Sequence, residues 1–178
     1  MEMSAMLREA KRGDRRALEA LCAHFHPRLC RYAYALTRSR EAAEDAAQET
    51  LVAMLRALPD FRGCDMGKFE GWLLRIERNH IYSQVRRKRP EPIPEGFDPP
   101  DSAPPPGEQL ERAERRQSVL KALDSLDAQM REMVILRYEM ELSYAQIAVA
   151  MNVSATRVKW RLHDAREKLR ALLGDEDV

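Results

Sequence analysis

An all-α protein of two helical domains joined by a Pro-rich linker is what this 178-residue sequence predicts. Three observations carry that expectation. Charged residues make up 33% of the chain while aromatics supply 6% and glycine occurs 7 times, a balance that favours helices with charged outer faces. Apolar residues recur at spacings of three and four, the period of one helix face. Eight of the ten prolines fall between Pro90 and Pro106, where proline blocks helix propagation and removes backbone donors.

The composition breaks place one helical module over residues 1–89, a linker over 90–107 and a second module over 108–178. The net charge of +1 conceals a pattern along them: 18 basic against 12 acidic residues in the first segment, none against 4 in the linker, 12 against 13 in the last. A neutral total therefore does not argue against a nucleic-acid partner, because binding depends on local patches. The longest apolar stretches fall short of a membrane span, and MEMSAMLREAKRGD is too polar for a signal peptide, so the chain reads as cytoplasmic with no membrane insertion. Three cysteines, Cys22, Cys30 and Cys64, do not make a disulfide framework and are expected to be reduced.

In the first module Ala43, Ala47, Leu51, Met54 and Leu58 share one helix face, with Asp45, Gln48, Glu49 and Val52 on the other. A second helix is expected from Lys68 to about Arg87, with Phe69, Trp72, Leu73 and Ile76 inward. Arg75, Arg78, Asn79, Tyr82 and Arg86 are then available outward, and the helix ends in the basic run Arg86 to Arg89. Aromatics interleaved with basic residues hold unstacked bases in nucleic-acid proteins; helical spacing assigns Phe69 and Trp72 to the core and leaves Tyr82 as the exposed aromatic. Cys22, His26 and Cys30 are spaced four apart and would align on an uninterrupted helix as a metal or redox site. Pro27 is expected to start a new helix and break that alignment, leaving buried thiols as the plainer reading.

In the second module Ser143 and Gln146 fit a capping box that opens a short helix, with Ile147, Ala148 and Met151 inward. Asn152 tolerates the left-handed turn that follows, and Ser154 caps the next helix. Val158, Leu162, Ala165, Leu169 and Leu172 form its inward stripe. Such a layout is a helix-turn-helix, which places Arg157, Trp160, Arg161 and Asp164 opposite Val158. The bland alternative is a helical hairpin whose basic face meets only water. No phosphate-binding glycine loop or Ser/His/Asp pattern stands out, and Glu77-x-x-His80 is a single copy of a di-iron half-motif that needs two. Neither an enzyme nor a cofactor is therefore expected.

The segments HPRLCRYAYALTRSREAAEDAAQETLVAMLRAL and FEGWLLRIERNHIYSQVRRKR resemble region 2 of the small extracytoplasmic-function sigma factors, and LDAQMREMVILRYEMELSYAQIAVAMNVSATRVKWRLHDAREKLRALL resembles their region 4. The resemblance spans nearly the whole chain. It implies a promoter-specificity subunit of RNA polymerase, with core RNA polymerase and promoter DNA as partners and an anti-sigma factor as the usual inhibitor. It maps polymerase binding to Asp45, Gln48 and Glu49. Minus-10 contact, including opening and base capture, maps to the segment from Arg62 to Lys68 and to Arg78, Asn79, Tyr82, Ser83, Arg86 and Arg87. Minus-35 contact maps to Ser154, Thr156, Arg157, Lys159, Trp160 and Arg161. The chain departs from the family pattern at Ser83, where Asp is frequent, at Leu55, where an aromatic is common, and at Arg157 and Trp160, which replace small polar residues. Competing expectations are a conventional helix-turn-helix regulator with a sensing or dimerising N-terminal module, and a metal or thiol sensor built on Cys22 and Cys30.

Overall fold

Short polar side chains start helices by accepting a first-turn amide, and they punctuate the chain. Asp14 accepts from Ala17 N, Ser39 from Ala42 N, Asp127 from Met130 N, Ser143 from Gln146 N and Ser154 from Arg157 N. A computed structural model describes residues 3–87 and 117–174, with side chains over 3–84 and 117–174. The elements are α1 (Met3–Lys11), α2 (Arg15–Thr37), α3 (Arg40–Ala57) with a 3₁₀ turn (Leu58–Asp60), and α4 (Met66–Arg87). Beyond the linker follow α5, helical over described residues 117–124, α6 (Ala128–Val134) running into a π-turn (Ile135–Glu139), α7 (Tyr144–Met151) and α8 (Ala155–Leu173). Among the described residues there is no strand, and no helix is long and apolar enough to cross a membrane. The expected linker over 90–107 lies outside them, as do the side chains of Arg86 and Arg87.

The α2 helix passes through Pro27 without interruption, against the expected helix start there. Proline removes the donor that would pair with the carbonyl of Ala23, and both residues are exposed, so water can satisfy that carbonyl. Leu21, Phe25, Leu29 and Tyr32, all buried on the opposite side, carry the helix across the defect.

Both modules contribute to one apolar core. Leu7, Leu21, Leu29, Phe69 and Leu73 from the first join Met133, Leu136, Ile147 and Met151 from the second. On α4 the buried set is Phe69, Leu73, Leu74, Glu77 and Ile81, with Trp72 and Ile76 only half-buried. The expected inward stripe is thus rotated, because α4 is covered on two sides, by the helices of its own module and by α7. On α8, Val158, Leu162, Ala165 and Leu169 are buried as expected, but Leu172 is 58% exposed, the helix having outrun its partners.

Glu77 sits in this core with both carboxylate oxygens lacking a hydrogen-bond partner. Burial pushes its carboxyl from 4.5 up to about 9, so it is protonated at neutral pH. The folded chain then holds this proton more tightly than the unfolded chain. The associated stability is complete below the unfolded value of 4.5 and drains away as pH rises towards 9. By about pH 7 the loss amounts to about 3 kcal/mol. Glu77→Gln keeps the shape and cannot ionise, so urea denaturation from about pH 5 to about pH 8 should show a flatter pH dependence than the parent chain. An unchanged slope would contradict the assignment.

Candidate nucleic-acid interface

The helix-turn-helix is built as its sequence requires. Ser143 and Gln146 form a reciprocal capping box, and Asn152 ends α7 in the left-handed conformation at φ 55°. The α8 helix then presents Ser154, Thr156, Arg157, Lys159 and Trp160 to solvent, with Trp160 64% exposed. Trp160, Lys159, His163, Arg166 and Tyr144 line a shallow groove, in which Trp160 and His163 meet edge to face at 6.5 Å. Arg161 is different: half-buried, it donates to Asp127 Oδ2 at 3.1 Å and to Gln129 Oε1 at 3.5 Å, while Arg157 reaches the same Gln129 oxygen at 3.3 Å. The N-terminus of α6 therefore braces this face, a role that sequence spacing did not assign to Asp127 or Gln129.

On α4 the outward expectation fails for two residues. Arg78 and Tyr82 are half-buried, and both turn to Glu132 of α6, a residue with no exposed surface. Arg78 Nε donates to Glu132 Oε1 at 2.7 Å, Tyr32 Oη donates to the same oxygen at 2.6 Å, and Tyr82 Oη donates to Oε2 at 3.1 Å. The Arg78 guanidinium also lies over the Tyr82 ring, 4.7 Å from its centre. Burial, reinforced by Glu132, pushes the Tyr82 phenol up to about 12 and raises that of Tyr32 as well, so both stay protonated donors. Asn79 is exposed and Ser83 is half-buried, its hydroxyl donating to His80 O. Arg62, before α4, and Lys68, in its first turn, are exposed. Phe61, Phe69 and Trp72 pack against one another in edge-to-face and tilted pairs with centres 5.0–5.4 Å apart, a packing cluster in which each ring is engaged with the others.

Asp45, Gln48 and Glu49 are all exposed on α3, on the face opposite the buried Ala43, Ala47 and Met54. Among the described residues, no hydrogen bond or ion pair from the second module reaches them. Elsewhere the modules are joined closely. Arg28 Nε donates to Glu70 Oε1 at 2.7 Å, Gln146 Nε2 donates to Glu70 Oε2 at 3.0 Å, and Arg28 Nη2 reaches Met140 O at 3.2 Å. Gly71 explains how α4 and α7 approach: a Cβ there would stand 2.9 Å from Gln146 O and 3.0 Å from Val149 Cβ.

Two family descriptions match this layout, Sigma-70 region 2 over residues 21–91 and Sigma-70 region 4 over residues 116–169. The sigma factor ShbA of Streptomyces griseus is 30% identical over 96% of this chain and 94% of its own length. The chain belongs to the extracytoplasmic-function RNA polymerase sigma factors. SigE of Mycolicibacterium smegmatis is 34% identical over 90% of the chain, which spans 64% of that relative's length. Among solved structures, CnrH in complex with the cytosolic domain of CnrY superposes with a TM-score of 0.68 at 28% identity, covering 99% of both chains. RpoE from Bartonella quintana, in complex with the anti-sigma factor NepR, gives 0.66 at 25% identity over 89% of this chain and 97% of that one. As a sigma factor, the chain is a transcription-initiation protein and not an enzyme.

Proposed function

We propose that this sigma factor binds core RNA polymerase through Asp45, Gln48 and Glu49 and directs promoter-specific initiation in the cytoplasm. Its α4 helix would contact the minus-10 element through Arg78, Asn79, Tyr82, Ser83, Arg86 and Arg87. The α7–α8 unit would read the minus-35 element through Ser154, Thr156, Arg157, Lys159, Trp160 and Arg161. The boundaries 1–89, 90–107 and 108–178 divide these tasks. The observation that carries the reading is the capped helix-turn-helix with Arg157 and Trp160 exposed near the start of its second helix, where a major groove would receive them.

The contacts of Glu132 add a state to this function. With Arg78 and Tyr82 committed to α6, the conformation described is a closed one, and minus-10 capture requires that the modules separate. The clamp exchanges protein partners for DNA partners, so promoter opening and inter-module contact compete for the same side chains. CnrH and RpoE are solved in complex with CnrY and NepR, and an anti-sigma factor that favours the closed state is the expected regulator here.

Run-off transcription with core polymerase across a promoter library tests the proposal. Arg157→Ala and Trp160→Ala should each lower transcription from the selected minus-35 sequence by about 5- to 100-fold, the range of one lost base contact, while polymerase binding is retained. Glu49→Lys should do the reverse, weakening polymerase association and leaving DNA binding by the α7–α8 unit intact. Loss of polymerase binding in the α8 variants would count against the assignment.

A further inference from the structure

One cluster of ligating side chains lies between α2 and α3, next to the exposed residues of α3. Because α2 continues through Pro27, His26 and Cys30 stand one turn apart on the same face, and α3 brings Glu44 against them. His26 Nε2 lies 3.2 Å from Glu44 Oε1, Cys30 Sγ lies 3.7 Å from His26 Nε2, and Cys30 Sγ donates to Glu44 Oε2 at 3.4 Å. Zinc bonds of about 2.3 Å to sulfur and about 2.0–2.2 Å to nitrogen and oxygen, at tetrahedral angles, place donor atoms about 3.3–3.6 Å apart. Glu44 meets His26 and Cys30 with different oxygens; with a single carboxylate oxygen as ligand the three donor atoms lie within 4.8 Å of one another, so a rotation of the exposed Glu44 side chain completes the tetrahedron's edge lengths.

We propose that His26, Cys30 and Glu44 form a binding site for a divalent, thiol-seeking metal ion of the zinc type, with solvent water as the fourth ligand. The donor set is imidazole, thiolate and carboxylate, the mixture that selects zinc over the harder magnesium or calcium ions. The His26 side chain is 36% exposed and that of Glu44 52%, so an ion enters from solvent without opening the core, and one coordination position stays open to water. Before loading, Cys30 is a thiol: burial and the neighbouring Glu44 push it up to about 11, with the Glu77 carboxyl acting in the same sense. Binding forms the sulfur–metal bond and breaks the sulfur–hydrogen bond, and that proton passes to solvent. Cys22, also on α2, lies outside the cluster, as does Cys64. Metal loading would fasten α2 to α3 beside Asp45, the chain neighbour of Glu44, and Gln48, one turn further along.

Cobalt(II) titration of the full, reduced chain reads the site directly. One equivalent should bind with a thiolate-to-cobalt charge-transfer band, be displaced by zinc, and release one proton in weakly buffered solution. Cys30→Ser should abolish the band, and His26→Ala or Glu44→Gln should weaken binding at least about tenfold. Cys22→Ser and Cys64→Ser should leave band and affinity unchanged, with circular dichroism confirming that every variant is folded. A band that survives Cys30→Ser, that depends on Cys22 or Cys64, or that never appears in the parent chain would overturn the proposal and leave an ordinary hydrogen-bonded thiol, imidazole and carboxylate.

Discussion

Glu132→Ala is expected to separate the two modules and to free the face of α4 proposed to contact the minus-10 element. The substitution leaves the fully buried Tyr32 hydroxyl and the half-buried Arg78 and Tyr82 without their shared acceptor. Stranding one partner of a buried ion pair costs about 3–5 kcal/mol, several times the worth of an exposed pair. The cost falls on the closed arrangement, because in the open state Arg78 and Tyr82 regain water. The first transition in urea should therefore move to lower denaturant, and small-angle scattering should give a larger radius of gyration. Single-stranded minus-10 DNA should bind more tightly if Arg78 and Tyr82 contact it as proposed, since Glu132 no longer competes for them. Glu132→Gln, which keeps both oxygen and shape, should fall between the two. An alanine variant as compact and as stable as the parent would mean that Glu132 does not hold the modules together.

Gly71→Val reaches the same end by a different physical route. The added Cβ meets a backbone carbonyl and a side chain of α7 at 2.9–3.1 Å, and the carbonyl cannot rotate away as a flexible side chain would. Overpacking at such a contact costs about 1–3 kcal/mol, less than the loss of Glu132 but without an unpaired polar group. The variant should open the chain as judged by scattering while α4 itself remains helical, since valine costs less in a helix than glycine. Association with core polymerase should then be faster than for the parent. A parent-like radius of gyration would show that α7 tolerates the extra volume by local shifts and that close packing at Gly71 is not what keeps the modules together.

The local architecture was legible because its causes are local. Ser143 with Gln146, Asn152 and Ser154 determine the helix-turn-helix within a dozen residues, and the exposed position of Asp45, Gln48 and Glu49 follows from the period of α3. Pro27 does not start a new helix because the buried residues on either side of it, Leu21, Phe25 and Leu29, keep α2 helical through the proline, and that tertiary support is not local to the residue. With α2 continuous, the alignment of His26 with Cys30 that their four-residue spacing offers is realised. Arg78 and Tyr82 were placed outward because helical spacing within α4 offers them no partner. Their partner, Glu132, comes from 54 and 50 residues away, across the linker, and no periodic pattern marks an acid in Met130 to Val134 as the acceptor of three donors. What one module buries against another is decided by complementarity between surfaces, which a single chain pattern does not encode.

Competition between the closed state and promoter opening is tested most directly by a reversible staple. A Cβ on Gly67 would lie 3.5 Å from Gln146 Cγ, so cysteines at these two positions can bridge α4 and α7 with little movement. With Cys22, Cys30 and Cys64 replaced by serine to leave a single possible bond, Gly67→Cys combined with Gln146→Cys should give a chain inactive in run-off transcription when oxidised. Reduction should restore specific transcripts with core polymerase. Equal activity in the oxidised and reduced forms would contradict a need for the modules to part, and inactivity in both, with the serine background active, would place Gln146 or Gly67 in the initiation step itself.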